Sequence, residues 1–215
     1  MIYFTSDLHG ELNFKGFREY LEKATEDDLL IILGDVGLAF EKTEENREFT
    51  EFFLSVDKNI AFVDGNHENF DFLSSFPEEE WMGGSVRRVT KNIVQLLRGN
   101  VYTINGETFF TFGGCKSSEK WKEMGLWYFG EEPTEAEISL AHENFKKHDY
   151  KIDYILTHKY ERVPAETGHF GELEELIQFI NKNVQFKKWY AGHYHLNEKA
   201  DDKHTYVYDE LIGKE

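Results

Sequence analysis

The sequence contains one cysteine, Cys115, so the chain cannot form an internal disulfide bond. It has no apolar run close to the roughly 20 residues that a membrane-spanning helix requires. The opening MIYFTSD lacks a basic segment and reaches an acidic residue at Asp7, which is not the pattern of a signal peptide. These absences predict a protein of the reducing cytoplasm that does not cross a membrane.

Basic residues are also few: 24 lysines and arginines face 41 aspartates and glutamates, and the formal net charge is −17. This charge repels polyphosphate backbones at long range and disfavours a nonspecific nucleic-acid binder, although bound cations can reverse the sign locally. The composition is 40% hydrophobic and 16% aromatic, which indicates a folded globular protein. Without a repeat, a linker or a low-complexity tract, the sequence predicts a single domain over 1–215.

Short β-rich apolar runs alternate with amphipathic helices in the first third of the chain. The runs IYFTS, LLIIL and IAFV have the length of strands, and LLIIL has the unbroken apolar pattern of a strand buried on both faces. The spacing of apolar residues predicts one helix over 13–24 and a second over 43–56, with Thr43 as its N-cap. This alternation is typical of βαβ units, in which helices cover the faces of a parallel or mixed sheet.

The middle of the chain changes character. NIVQLL, VYTI and ETFFTF read as short strands, and Asn105-Gly106 predicts a tight hairpin between the last two, hence an antiparallel extension or a second sheet. The stretch 113–132 predicts loops. Beyond it, Pro133-Thr134 opens a helix, and the strand DYILTHK, the helix GELEELIQFINKN and the strand KKWYAGHYH follow.

Polar side chains follow five of the predicted strands at the point where each strand ends. They are Asp7 and His9, then Asp35, then Asn66 and His67, then His158, and finally His193 and His195. Ligands of open α/β sheets gather at the carboxyl ends of strands, so we expect the five clusters to meet in one cleft. Each residue alone is compatible with an ordinary turn or core position, but the coincidence at five strand ends favours a shared site.

Carboxylates, imidazoles and an amide make a mixed nitrogen and oxygen ligand set. Such a set suits Mn²⁺, Fe²⁺, Co²⁺ or Zn²⁺ and differs from a thiolate site. The pair His193 and His195 agrees with this interpretation, because two neighbouring imidazoles repel each other when protonated and suit a site that binds them neutral. The sequence therefore predicts a metal centre at the strand ends.

The series DLHG, GD, GNHE, TH and GHYH resembles the calcineurin-like metallophosphoesterase superfamily, whose motifs run DxH, GD, GNH(D/E), H and GHxH in that order. The resemblance extends from Asp7 to His195. It implies an α/β (α+β) fold, a two-sheet β-sandwich flanked by helices, with the metal site at the carboxyl-terminal strand ends. A second resemblance, in GGCKSSEKW, LWYFGEEPTEAE and IDYILTH, is to a bacterial and phage group of small metallophosphoesterases with motifs GGxxSxDK, WW, EExP and THxxP.

The superfamily resemblance implies one group of ligands for each of two divalent ions. The implied ligands are Asp7, His9 and His195 for the first ion, Asn66, His158 and His193 for the second, and Asp35 as a bridge between both. Seven ligands exceed the needs of one tetrahedral zinc ion and suit two ions that share a bridge. Mn²⁺ is the expected metal, and Fe, Co, Zn and Ni are the alternatives.

The resemblance also implies a reaction. A hydroxide held by the two ions would attack a phosphate ester, with Asp35 and His67 as catalytic residues. His67 would contact the phosphate and protonate the leaving oxygen. Substrate contacts are predicted at Asn66, His67, Lys159 and Arg162.

One position departs from the protein Ser/Thr phosphatase branch of the superfamily. That branch carries GDxxDRG, whereas GDVGLAF places Leu38 at the second acidic position. The acid that orients the donor histidine in that branch is therefore absent, which argues against a phosphoprotein substrate. Glu68 and Asp71 are the candidates to replace it.

The expected function is hydrolysis of a small phosphate monoester or diester. One alternative is a nuclease or nucleotide phosphodiesterase of the same fold, which the charge of −17 and the lack of basic runs disfavour without excluding it. Another is a non-catalytic protein-binding scaffold, which is expected to have lost ligands, whereas all seven are present. The sequence leaves the oligomeric state open.

Overall fold

Two mixed β-sheets form the centre of the computed structural model, which describes residues 1–161 and 171–215. The strands of the first sheet are β1 (Ile2–Thr5), β2 (Leu29–Leu33), β3 (Ile60–Val63), β4 (Glu78–Trp81), β5 (Gly84–Arg88), β6 (Ile93–Leu96) and β13 (Ile212–Gly213). Their order is β13-β1-β2-β3-β6-β5-β4, and β1, β2, β3 and β6 run parallel to one another.

The second sheet is built from the later part of the chain. Its strands are β7 (Val101–Ile104), β8 (Glu107–Phe112), β9 (Tyr154–Thr157), β10 (Lys188–Ala191), β11 (Glu198–Lys199) and β12 (His204–Tyr206). Their order is β11-β12-β10-β9-β8-β7, and β8, β9, β10 and β12 run parallel. Each sheet therefore has a set of parallel strands whose carboxyl ends share one edge.

Most of the helices pack on the outer faces of the two sheets. Those that the structure describes are α1 (Lys15–Lys23), α2 (Glu44–Ser55), α3 (Phe70–Ser74), α4 (Glu119–Glu123), α5 (Glu135–Lys147) and α6 (Glu172–Asn183), with a 3-10 turn at Phe129–Glu131. Buried residues of α1 and α2 join the core on one side, and those of α5 and α6 join it on the other. The predicted architecture of two sheets flanked by helices is confirmed.

Strand β2 is apolar at every position because both of its faces are covered. Along β2, Ile31 and Leu33 lie in the core between the sheets, where they share a cluster with Phe109 of the second sheet. Leu30 and Ile32 lie in the cluster on the helix side. The unbroken run LLIIL is thus the consequence of two cores on opposite faces of one strand.

Two local signals of the sequence are confirmed. Thr43 caps α2, because its side-chain oxygen accepts a hydrogen bond from the backbone N–H of Asn46 at 3.2 Å. Asn105 and Gly106 adopt φ values of 53° and 81° and join β7 to β8, as a tight hairpin requires.

Short elements of the described chain differ from the sequence prediction. The hairpin of β4 and β5 was not predicted, because Glu78, Glu79 and Glu80 form a charged edge strand without apolar alternation. The stretch 113–132, predicted as loops, contains α4, a helix of five residues. None of the helices in the described residues combines the length and the apolar character needed to cross a bilayer.

Candidate metal centre

The carboxyl ends of parallel strands from both sheets meet at one place, and the structure brings the eight polar residues of the sequence prediction together there. Asp7 and His9 follow β1, Asp35 follows β2, Asn66 and His67 follow β3, His158 follows β9, and His193 and His195 follow β10. Most of them line a cavity of about 610 Å³, and Asp7 and His158 lie buried near its floor.

One group of ligand atoms comes from Asp7, His9 and His195. Nε2 of His9 lies 3.1 Å from Nε2 of His195, and Oδ1 of Asp7 lies 3.9 Å and 3.4 Å from these two nitrogens. Atoms held about 2.1 Å from one ion lie roughly 3 to 4 Å apart, so this spacing fits a shared cation. Oδ1 of Asp7 is also buried without a hydrogen-bond partner in the described chain, and a cation would satisfy it.

A second group surrounds Nε2 of His158. This nitrogen lies 3.3 Å from Oδ1 of Asn66, 3.3 Å from Nδ1 of His193 and 3.5 Å from Oδ2 of Asp35. Nδ1 of His158 lies 2.8 Å from the carbonyl of Leu33, to which it donates its proton. That hydrogen bond leaves Nε2 as the atom directed toward a cation, as in histidine ligands backed by a carbonyl.

Asp35 lies between the two groups. Its Oδ2 is 3.5 Å from Nε2 of His158 in one group and 3.7 Å from Nε2 of His9 in the other. Its Oδ1 accepts a hydrogen bond from the backbone N–H of His67 at 2.7 Å, which fixes the carboxylate in place. The residues present therefore fit a pair of divalent cations with one shared carboxylate.

A profile of the calcineurin-like phosphoesterase family matches residues 1–197. The chain belongs to this family. It is a phosphoric ester hydrolase of a family that binds divalent metals, and the resemblance of its sequence to the superfamily is confirmed. A search of curated proteins finds no significant match.

The backbone of the phosphoesterase is unusual at the candidate ligands. Of ten non-glycine residues with positive φ in the described chain, half belong to the site: Asp7, His9, Asp35, His193 and His195, with φ between 48° and 70°. This left-handed region is costly for residues with a Cβ atom, at roughly 1 kcal/mol or more each. These conformations occur in the turns that follow β1, β2 and β10, where the candidate ligands lie.

Glycines of the motifs leave room for ligands of other motifs. A Cβ atom on Gly65 of GNHE would lie 2.0 Å from Oδ1 of Asp35, and one on Gly34 of LGD would lie 2.2 Å from Nδ1 of His158. Both distances are too short for any side chain to be accommodated without displacing the neighbour. The motif glycines are thus required by the close approach of the ligands.

Charge is distributed unevenly among the candidate ligands. Burial opposes a charge on His158, but the adjacent Asp35 carboxylate raises the pKa of this imidazole to about 10. Burial likewise opposes a charge on Asp35, yet His158 holds the pKa of that carboxyl far below its usual range. Burial lowers the pKa of His193 to about 4. In the metal-free protein one proton therefore lies at Nε2 of His158, where three acceptor atoms meet.

His67 is positioned by rings. Its imidazole contacts the side-chain rings of Trp121, His9 and Phe40, whose centroids lie 4.5, 4.9 and 5.1 Å from its own. Its ring nitrogens have no hydrogen-bond partner within the part of the chain that the structure describes. Burial lowers the pKa of this imidazole, so the ring is neutral near pH 7 before substrate enters.

Neither candidate acid takes over the orientation of His67. Both carboxylate oxygens of Glu68 accept backbone hydrogen bonds, from Val36 at 2.8 Å and Gly37 at 3.2 Å, so Glu68 supports the loop after β2. Asp71 is exposed on α3. Leu38 is fully buried in the core on the helix side, which explains why this position is apolar.

The other predicted substrate contacts lie elsewhere. Nζ of Lys159 is 2.9 Å from carboxylate oxygens of both Glu161 and Glu174, and Lys159 does not line the cavity. A contact with substrate would require it to leave both partners, so this role stays a prediction. Arg162 lies outside the described residues.

Some residues of the cavity were missed or left undecided by the sequence. Phe40, Lys116, Ser117 and Trp121 line it beside the candidate ligands. Lys116, Ser117 and Trp121 follow β8, a parallel strand that ends at the same edge as β9. The signal that pointed to them was the second resemblance, in GGCKSSEKW, which gave no role to these side chains.

Proposed function

We propose that this phosphoesterase hydrolyses a small phosphate monoester or diester with the help of two divalent cations, Mn²⁺ being the preferred metal. The observation that carries the proposal is the pair of ligand groups joined by Asp35. A cavity of about 610 Å³ suits a small substrate, and the net charge of −17 disfavours a long polyanion. We also propose that residues 1–215 form a single domain and that the protein acts in the cytoplasm.

The residues divide as their contacts suggest. One ion would be held by Asp7, His9 and His195, the other by Asn66, His158 and His193, with Asp35 shared. Two divalent ions bound there would lower the pKa of water, to give a nucleophile near neutral pH, and would offset charge on the phosphoryl group. Asp7 and Asp35 in turn reduce the net charge of the cations, and the imidazoles must be neutral to bind.

His67 is the proposed proton donor to the leaving oxygen. Its imidazole lies in the same cavity as Asn66 and His195, within reach of a phosphate bound there. A phosphate anion beside the ring favours the protonated form and opposes the effect of burial on the pKa. Proton donation by a placed histidine typically contributes about 10²- to 10⁴-fold in rate.

The proposal is tested by metal content. Protein dialysed against excess Mn²⁺ is expected to retain close to two ions per chain, measured by plasma emission spectroscopy. Asp35→Asn weakens both sites at once, so we expect fewer than one ion and a loss of most activity. Asp57→Asn, at a carboxylate whose side chain is 77% exposed, is the control and should behave as wild type.

Two outcomes would overturn this assignment. A wild-type stoichiometry of one ion or none would exclude the dinuclear site. Retention of both ions and of a near-normal rate in Asp35→Asn would exclude the shared carboxylate. A panel of p-nitrophenyl phosphate, its bis-ester and a single-stranded oligonucleotide, assayed with Mn²⁺, Fe²⁺, Co²⁺, Zn²⁺ and Mg²⁺, separates monoesterase, diesterase and nuclease.

A further inference from the structure

The side-chain amide of Asn66 needs a defined orientation. Its Oδ1 lies 3.3 Å from Nε2 of His158, on the side of the second ligand group. An amide turned by 180° would present its NH₂ group there and repel a cation. On the other side, Nδ2 of Asn66 donates a hydrogen bond to Oγ of Ser117 at 3.2 Å, a contact that favours the observed orientation.

Ser117 is itself held by a buried carboxylate. Oε1 of Glu131 accepts hydrogen bonds from the backbone N–H of Ser117 at 2.8 Å and from Nε1 of Trp127 at 2.6 Å. Glu131 is fully buried, and burial raises the pKa of its carboxyl. A buried carboxyl group that accepts two hydrogen bonds holds both donors in a fixed position.

Hydrogen bonds also hold the N-terminal end of the loop of residues 113–118. The backbone N–H of Gly114 donates to the carbonyl of Asp64 at 2.8 Å. The Asp64 carboxylate is paired with the buried guanidinium of Arg98, which also donates to the carbonyl of Gly130 at 2.8 Å. The loop therefore spans from the strand end that carries Asn66 to the 3-10 turn that carries Glu131.

These contacts give a structural reason for the second set of sequence motifs. Ser117 belongs to GGCKSSEKW, and Trp127 and Glu131 both belong to LWYFGEEPTEAE. The three side chains converge on one another and, through Ser117, on Asn66. Both hydrogen bonds to Glu131 end on its Oε1, whereas Oε2 is buried without a hydrogen-bond partner in the described residues.

We propose that Ser117 is a positioning residue, whose hydroxyl selects the orientation of the Asn66 amide so that its oxygen faces the second ion, and that Glu131 holds Ser117 in place. This inference rests on the proposed function. It predicts that Ser117 affects the affinity of the second ion while leaving the first unchanged.

The experiment is calorimetric titration of metal-free protein with Mn²⁺. We expect Ser117→Ala to weaken one of two binding events by about 10- to 100-fold, as is typical for loss of an outer partner of a ligand. The control is Ser139→Ala, because Ser139 is exposed on α5 and does not line the metal cavity. Ser117→Cys, with a weaker hydrogen-bond acceptor, should give a smaller loss and confirms the effect if Ser117→Ala folds poorly.

A second background separates positioning from general structural support. Asn66→Asp replaces the amide by a carboxylate with two oxygens, so either orientation presents a ligand atom. We therefore expect Ser117→Ala to cost much less metal affinity in the Asn66→Asp protein than in wild type. An equal loss in both backgrounds would mean that Ser117 supports the fold and does not select the amide orientation.

Failure of this inference is distinguishable from failure of the proposed function. If wild-type protein binds fewer than two ions, the dinuclear function fails. If wild type binds two ions and Ser117→Ala binds both with unchanged affinity, only the positioning role fails. A raised KM with unchanged metal binding would make Ser117 a substrate contact and would likewise overturn the inference.

Discussion

At the scale of single residues, substitution of His67 distinguishes a role in proton donation from a role in phosphate binding. His67→Ala is expected to retain both metals and to lose about 10²-fold in turnover on an alkyl phosphate, because an alkoxide needs a proton to depart. The loss on a nitrophenyl ester should be smaller, since nitrophenolate departs without one. Steady-state kinetics on both esters measures the difference. The control is His148→Ala on α5's C-terminal side, away from the cavity.

Two results would contradict this role. Equal defects on both esters would show that His67 binds phosphate without donating a proton. Loss of a metal ion in His67→Ala would make the residue a ligand. Because three rings, and no hydrogen bond to the ring nitrogens in the described structure, hold the imidazole of His67, Trp121→Ala should reproduce part of the turnover loss with metals intact.

Gly65 tests the packing of the site at the same scale. The Cβ atom of Gly65→Ala would lie 2.0 Å from Oδ1 and 2.5 Å from the backbone nitrogen of Asp35. We expect the carboxylate to be displaced, Mn²⁺ content to fall and the free energy of unfolding to drop by about 1–3 kcal/mol. Gly213→Ala is the matched control, because the nearest atom to its Cβ among the described residues, chain neighbours aside, would be Cε of Met1 at 3.9 Å. Unchanged metal content in Gly65→Ala would show that Asp35 tolerates the intrusion.

At the scale of elements, α5 depends on its N-terminal cap. Thr134 accepts a hydrogen bond from the backbone N–H of Glu137, whose side chain accepts one from the backbone of Thr134. Thr134→Ala is expected to lower the free energy of unfolding by about 1 kcal/mol in urea titrations, without changing turnover. Ser118→Ala, at an N-cap without a side-chain hydrogen bond, should cost nothing measurable. A similar loss of unfolding free energy in both variants would show that the cap hydrogen bonds of Thr134 are not the cause of the destabilisation.

The elements also show what the sequence could and could not predict. LLIIL and IAFV were predicted correctly as strands, and they form β2 and β3. The prediction succeeded because a strand covered on both faces is apolar throughout. The helix GELEELIQFINKN became α6, with Leu173, Leu176, Ile177 and Ile180 buried as their spacing predicts. The edge strand β4 and the short helices α3 and α4 lack such periodicity, since few of their side chains enter the core.

At the scale of the whole molecule, the site depends on the packing of one sheet against the other. Asp7, Asp35 and Asn66 follow strands of the first sheet, whereas His158 and His193 follow strands of the second. Strand ends within one sheet could be predicted to lie side by side. How the two sheets pack is determined by the core between them, and no local sequence pattern predicts that packing. The roles of Ser117 and Glu131 could not be predicted from the sequence for the same reason, because both residues act through contacts with residues distant in sequence.

The pH dependence of the molecule follows from His158. Its raised pKa, about 10 in the metal-free protein, means that protonated His158 stabilises the fold fully below the unfolded value near 6.5. That stabilisation is lost as pH rises toward 10. Metal binding has the opposite dependence, because the same proton must leave, so affinity for Mn²⁺ should increase from about pH 6 to about pH 8. Calorimetry in buffers of different ionisation enthalpy measures the released proton, and absence of release would contradict the pKa of His158.

The left-handed backbones of Asp7, His9, Asp35, His193 and His195 have a consequence for heat resistance. Cations that bind only the folded state counterbalance this strain, so a chelator should lower the melting temperature and Mn²⁺ should restore it. Glycine has no Cβ penalty in such a conformation, and His9→Gly is expected to raise the melting temperature of the metal-free protein while weakening the first metal site. Glycine at these positions would therefore exchange metal binding for thermal stability.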